Sequence, residues 1–240
     1  MKAALTIFNI LLPVLIFSQS LKPLILKDNM LWIGYYNAIH LNQKWSVNSD
    51  IQFRTKNWYN DYSQALIRSG LAFSINDKIT VTAGIAHFRY FITNEKTRGE
   101  WRPWQEIAVH DKLTTIKITH RFRLEERFSE QVKSNEPTNE YIFNYRFRYK
   151  LDLRFRLIKL NENGKNLVAL VGNELMINAG KNITYNYFDQ NRAYVGVNLE
   201  LNKKLTLQLQ YMHIWQQLSS GNTFLRTEVI RFNFYHTLQL

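Results

Sequence analysis

The chain has 240 residues, no cysteine, six histidines and a formal net charge of +12 at pH 7. The lack of cysteine excludes disulfides and thiolate chemistry. A mean hydropathy of −0.32 excludes a bundle of membrane-spanning helices. A basic chain that is rich in aromatic residues can bind nucleic acid, but here the basic residues alternate along the chain and form no basic run or tail. We therefore expect no nucleic-acid partner.

The N-terminal residues predict a secretory signal peptide over residues 1–20. Lys2 supplies the positive charge, residues 3–17 form an apolar segment, and the small residues Ser18 and Ser20 suit cleavage after either one. A buried N-terminal helix is the alternative. Export also argues against a nucleic-acid partner, and it leaves residues 21–240 as one domain.

Apolar and polar residues alternate in several later segments, namely 45–54, 116–128, 146–157, 195–201, 205–215 and 230–240. In 146–157 the odd positions are apolar and the even positions are charged. A strand sends alternate side chains to opposite faces, so this segment has one apolar face and one charged face. Its length of about 40 Å exceeds an ordinary soluble strand of about 5–6 residues. It suffices for a tilted membrane-spanning strand, which needs about 9–11 residues.

The connections between these segments alternate in length. We expect short turns near residues 42–44, 76–78, 113–115, 161–165 and 202–204, and longer polar loops near 56–62, 93–102, 129–139, 178–187 and 219–223. This layout is typical of a transmembrane antiparallel up-and-down β-barrel with short periplasmic turns and longer extracellular loops. Eleven strands can be counted from Met30 onward. Because such a barrel closes with an even number, we predict about twelve strands, with residues 21–27 supplying one, or alternatively ten.

The apolar faces could pack in a soluble exported sandwich or barrel, or they could face lipid. Strand length favours lipid, as do aromatic residues near the predicted strand ends, which we interpret as interfacial: Trp32, Trp45, Tyr211 and Trp215. A lipid-facing Arg or Lys costs about 2–4 kcal/mol near the midplane. The five cations of 146–156 would together cost on the order of 10 kcal/mol, so they must face the lumen. The predicted lumen-lining charged network comprises Arg54, Glu106, Arg121, Arg123, Glu125, Arg146, Arg148, Lys150, Asp152, Arg154, Arg156, Glu174 and Arg192.

Several short motifs resemble a family of exported β-barrel proteins of unknown function from Gram-negative bacteria, the domain-of-unknown-function family 2490. They are residues 120–128, HRFRLEERF, and 145–149, YRFRY, together with Asn173-Glu174-Leu175, residues 188–192 and Tyr211-Met212-His213. The resemblance covers essentially all of the mature chain. The resemblance implies an outer-membrane protein, and it implies no particular activity because the function of the family is unknown.

Two functional interpretations remain open for such a barrel. The charged lumen could be a structural network that fills the barrel, or it could line a narrow pore that prefers anions through its excess positive charge. An outer-membrane lipid-modifying enzyme is a further alternative, for which His110 and His213 are candidate bases, but no histidine lies in a recognisable Ser–His motif. We expect no cofactor and no metal. The expected partners are membrane lipid and lipopolysaccharide and the outer-membrane barrel assembly machinery, and the oligomeric state stays open.

Overall fold

The computed structural model describes residues 22–93, 96–161 and 165–240. The predicted signal peptide, residues 1–20, lies outside these residues. The strands of the described part are β1 (Leu24–His40), β2 (Trp45–Lys56), β3 (Asp61–Ser74), β4 (Ile79–Phe91), β5 (Thr97–Leu113), β6 (Ile116–Lys133), β7 (Glu136–Lys159), β8 (Asn166–Ala179), β9 (Phe188–Glu200), β10 (Leu205–Gln217) and β11 (Thr223–Gln239). In this part of the chain no helix is long and apolar enough to cross a membrane.

The eleven strands of the described chain form one closed barrel in which each strand is antiparallel to the next. The barrel closes through a parallel pair, in which β1 and β11 run in unbroken register from Leu24 opposite Thr223 to His40 opposite Gln239. The prediction of about twelve strands, or ten, is therefore wrong. The premise of an even number failed, because a parallel ladder satisfies the edge backbone groups nearly as well as an antiparallel one. Residues 24–27, expected as part of a separate strand, extend β1 instead.

The barrel has two ends, which we name after the first residue of β1 and the last residue of β11. The C-terminal end carries residue 239, residues 160–161 and 165, and the connections 41–44, 75–78, 114–115 and 201–204. The N-terminal end carries residue 24, residues 92–93 and 96, and the connections 57–60, 134–135, 180–187 and 218–222. The end that faces the periplasm stays a prediction.

The predicted contrast between short turns and long loops is only partly observed, because connections 57–60 and 134–135 are as short as 41–44 and 114–115, whereas 180–187 has eight residues. Where a loop was predicted over 129–139, β6 and β7 continue to a two-residue turn at Ser134 and Asn135, whose φ angles are 50° and 63°. Positive φ at both central residues is the geometry of a tight hairpin turn. The polar residues that suggested a loop belong to strand ends that extend toward the N-terminal end of the barrel.

The two faces of the wall have the reverse polarity of a soluble protein. Large apolar side chains point outward and are exposed, among them Ile51 at 58%, Phe122 at 51% and Phe232 at 42%. Carboxylates point inward and are buried, among them Glu125 at 2% and Glu174 at 5%. The lumen is therefore the polar interior, and it is where the candidate site lies.

Candidate functional site

The inner faces of β5 to β8 carry a continuous ion-pair network. Arg148 lies between two carboxylates: its Nη2 is 2.7 Å from Glu174 Oε1, and its Nη1 contacts Glu125 Oε1. Arg121 also contacts Glu174, and Arg123 Nε donates to Glu106 Oε2 at 2.7 Å. The alternating sequence explains this network. Charged residues recur at every second position, so they all face the lumen, and the strand register places them opposite one another, as with Glu125 and Arg146.

A second set of buried ion pairs lies nearer the N-terminal end. Glu100, which is fully buried, accepts hydrogen bonds from Arg127 Nε at 2.7 Å and Ser129 Oγ at 2.6 Å, and it also contacts Arg102. Asp189 pairs with Arg146 Nε at 3.0 Å. Sequence reasoning missed Glu100, Arg102, Arg127 and Asp189. The sequence predicts a loop at residues 93–102, whereas the alternation of Glu100, Arg102 and Trp104 against Trp101 and Gln105 indicates a strand.

Trp32 does not lie at the membrane interface, so that prediction is wrong. Its side chain is 3% exposed and points into the lumen, because the even positions of β1 face inward. Residues 30–36 are apolar on both faces, so their alternation did not reveal which face is internal. Trp45 and Tyr211 are exposed on the outer surface, and Trp215 stacks on Phe224. The interfacial depth of these three stays a prediction.

Three guanidinium groups surround the Trp32 indole. Arg54 on β2 and Arg231 on β11 occupy the same register row as Trp32, one on each side. The guanidinium carbon atoms of Arg54, Arg192 and Arg231 lie 3.9, 5.3 and 5.9 Å from the ring centroid. Arg192 reaches the indole from β9, which is the third strand from β1 around the barrel. We call these four residues the Trp32 cluster.

The remaining predicted network residues lie closer to the C-terminal end. Lys150 pairs with Asp152 at 2.6 Å, and Asp152 also accepts a hydrogen bond from the Tyr194 hydroxyl. Arg154 is exposed and lines the mouth of the lumen. Arg156 is exposed beside a register break in β7, and no ion pair within the described residues joins it to the network.

The lumen contains a cavity of about 360 Å³ that reaches toward the C-terminal end. Along the inner face of β2, Asn48 is exposed, whereas Asp50, Gln52 and Arg54 are 6%, 4% and 8% exposed, so access to solvent falls with depth. Within the described chain, eleven cationic side chains and four carboxylates line this cavity. We call it the cationic vestibule.

Beyond the vestibule many inward-facing side chains are buried. Trp32 of β1 packs in one buried apolar group with side chains of β8 to β11: Leu170, Tyr194, Met212, Ile214 and Val229. Nearer the N-terminal end, Glu100, Met176 and Val229 have no exposed surface. Side chains of several strands therefore pack together inside the barrel at this level.

Among the polar groups that interrupt the apolar outer surface are two that contain a carboxylate. Gln105 Nε2 donates to Glu126 Oε1 at 3.4 Å. Nearer the N-terminal end, Glu228 contacts His213 Nδ1 at 3.0 Å, Arg226 Nε at 3.0 Å and the Tyr211 hydroxyl.

The two histidines considered as candidate bases have no serine nucleophile beside them in register. The cross-strand neighbours of His213 are Ala193 and Glu228. His110 is exposed and lies 3.3 Å from Thr119 Oγ1. Among the described residues, no group of three or more histidines and carboxylates is arranged to hold a metal ion.

An all-β closed barrel with a charged interior and an apolar exterior is the class of protein that this fold and site define. The chain belongs to the family described as a protein of unknown function (DUF2490), whose model matches residues 29–225. This match confirms the resemblance seen in the sequence motifs. An uncharacterised protein of Methylorubrum extorquens is 23% identical over 168 residues, which cover 69% of each chain.

A porin and an autotransporter domain are among the solved structures that align with this chain. The NanC porin has a TM-score of 0.49 at 11% identity, with 81% of this chain and 93% of that chain covered. The beta domain of the Bordetella autotransporter BrkA has a TM-score of 0.44 at 10% identity, with 79% of each chain covered.

Proposed function

We propose that this protein is an outer-membrane β-barrel whose occluded lumen attracts anions. The single observation that carries the proposal is the reversed polarity of the wall, with exposed Ile, Leu and Phe outside and buried charges inside. Soluble monomers rarely expose a contiguous apolar patch larger than a few hundred Å². A surface of this kind around a whole barrel requires lipid to cover it.

The height of the apolar belt supports a membrane location. On β7 the outward-facing odd positions from Tyr145 to Leu157 are all apolar, and Tyr145, Phe147, Tyr149 and Leu157 are exposed. Twelve residue steps of about 3.3 Å, at the tilt of about 40° that is typical of membrane barrels, span about 30 Å along the barrel axis. This matches the hydrocarbon thickness of a bilayer. Export, insertion by the barrel assembly machinery and contact with lipid and lipopolysaccharide belong to the same proposal.

The lumen geometry supports a filled barrel over an open pore. Eight-stranded barrels are filled by side chains, and barrels of 16–18 strands leave an aqueous channel. In this barrel of eleven described strands, long arginines and the packing around Trp32 close the intermediate space. The vestibule that remains has a large excess of cationic groups, so its field concentrates anions.

Planar-bilayer recording of the refolded mature chain under a KCl gradient tests this function. We expect no steady conductance from the wild type. Trp32→Ala, which removes the bulkiest side chain of the buried apolar group, should produce discrete steps whose reversal potential favours chloride. Trp45→Ala is the matched control, because Trp45 lies on the outer surface.

Two results would contradict the proposal. Steady open steps from the wild type would show that the lumen is not occluded. Cation preference in any variant would show that the excess of lumen arginines does not control selectivity.

A further inference from the structure

We propose that the Trp32 cluster is a binding site for a small oxyanion, with Arg54 and Arg231 as its principal ligands. The proposal rests on the cationic vestibule of the proposed function and deepens it, because it places one specific site at the inner limit of that vestibule. All four members of the cluster line the 360 Å³ cavity.

Arg54 has no carboxylate partner in the described part of the chain. It is 8% exposed, its Nη1 donates to Gln64 Oε1 at 2.8 Å, and its Nη2 donates to Gln52 Oε1 at 3.0 Å. Its Nε is buried and has no hydrogen-bond partner among the described residues. The nearby carboxylate of Asp50 is already bonded to Arg68 and Gln52.

Arg231 is also held by neutral groups. Its Nε donates to Asn233 Oδ1 at 3.1 Å, its Nη1 to Gln210 Oε1 at 3.4 Å, and its Nη2 to the Tyr36 hydroxyl. Amide and hydroxyl oxygens satisfy the geometry of a guanidinium without neutralising its charge. Arg148 has a different environment, because two carboxylates flank it.

Arg192 adds a third positive charge to the cluster. Its Nε donates to Gln190 Oε1 at 2.7 Å, and its Nη1 lies 3.8 Å from Glu174 Oε2. That carboxylate is shared with Arg121 and Arg148, which contact its other oxygen. The cluster therefore concentrates positive charge that the surrounding protein groups leave largely unbalanced.

An anion from solution would balance this charge. Burying an ionised group without a counter-charge is strongly unfavourable, and like charges brought together add to the cost. Guanidinium groups bind carboxylates and phosphates through paired N–H donors. The cavity is at the lower end of the range for ligand pockets, and it lies inside the barrel, so the ligand is a small oxyanion.

Isothermal titration calorimetry tests the site on the full mature chain refolded in detergent micelles. Inorganic phosphate and acetate are the two probes, with ionic strength held constant by chloride. We expect saturable binding of at least one probe to the wild type. Arg54→Gln and Arg231→Gln should each bind it at least tenfold more weakly. Arg226→Gln, which changes an exposed arginine on the outer surface, should bind as the wild type does.

Urea unfolding provides a second measurement that a purely structural role would not reproduce. Without oxyanion, Arg54→Gln should unfold at a higher urea concentration than the wild type, because it relieves repulsion from Arg192 and Arg231. With saturating oxyanion the wild type should gain stability and the variant should not.

Two results would overturn the site: no saturable binding of either probe to the wild type, or equal binding to the wild type and both arginine variants. Binding of phosphate alone would indicate a phosphate-like ligand, and binding of acetate alone would indicate a carboxylate ligand. Either result supports the site. Because binding is measured in micelles, a cation-selective or open channel in bilayers would refute the proposed function and leave this result intact.

Discussion

Removal of Glu174 should destabilise the barrel more than removal of any exposed carboxylate. Glu174 is 5% exposed and contacts Arg121, Arg148 and Arg192. In Glu174→Ala, Arg148 retains Glu125, and Arg121 retains Glu106 at 3.4 Å. Among the described residues, Arg192 retains its hydrogen bond to the neutral Gln190 and no carboxylate contact.

The expected loss in the free energy of unfolding follows from the contacts that remain. Breaking a buried ion pair by removing one partner costs about 3–5 kcal/mol, because the remaining charge is left buried. Two of the three arginines keep a second carboxylate, so we expect about 3 kcal/mol, the lower end of that range. Glu174→Gln keeps the side-chain volume and loses the charge, so it separates the electrostatic effect from the cavity left by alanine.

The assay is urea unfolding of the barrel in phospholipid vesicles, followed by tryptophan fluorescence and by the mobility of unheated samples on SDS gels. Glu136→Ala is the control, because Glu136 forms an exposed pair with Lys96 and such pairs contribute about 0–1 kcal/mol. If Glu174→Ala lies within about 1 kcal/mol of the wild type, the lumen charges do not act as a paired network and the reasoning is refuted.

Three further predictions concern the buried Glu100, the apolar belt and a turn. Glu100→Ala should cost about 3–5 kcal/mol in the same urea assay, since the fully buried Glu100 bonds Arg127 and Ser129; an unchanged midpoint would contradict this. Ile107→Arg should lower the free energy of unfolding in vesicles by about 2–4 kcal/mol. The control Tyr59→Arg, at an exposed turn position, should change it by less than about 0.5 kcal/mol. Equal effects of the two substitutions would argue against lipid at Ile107. Asn135→Val should lower the free energy of unfolding by about 1–2 kcal/mol, because Asn135 has a φ of 63°. Asn135→Gly should be tolerated. Equal urea midpoints for the two variants would show that the turn conformation is not required.

The strand faces could be predicted where charge and apolarity alternate strictly. In β7 any other arrangement would place arginines in lipid, so the inward positions of Arg146 and Arg148 follow from the sequence. At Trp32 no such penalty applied, because its neighbours on both faces are apolar. Glu100 was hidden for a different reason, since its strand begins in a polar segment that has the composition of a loop.

The strand number could not be derived from local pattern alone. The sequence supports the segments that became β1 to β11, but closure depends on the pairing of β1 with β11, which are at opposite ends of the chain. An even-number rule replaced that missing information and led to the wrong count. Likewise, the convergence of Arg54, Arg192 and Arg231 on Trp32 depends on register and on contact across the lumen, which no local pattern encodes.

The central claim is that lipid covers the outer face and water reaches the vestibule, and single-cysteine labelling tests it most directly. The chain has no cysteine, so each introduced thiol is unique. Fluorophores at Ile51→Cys and Ile107→Cys, which are outward and exposed, should be quenched by brominated lipid and not by aqueous iodide. Fluorophores at Asn48→Cys and Arg154→Cys, which line the vestibule, should show the reverse. Iodide quenching at Ile51 and Ile107 without any effect of brominated lipid would contradict the account.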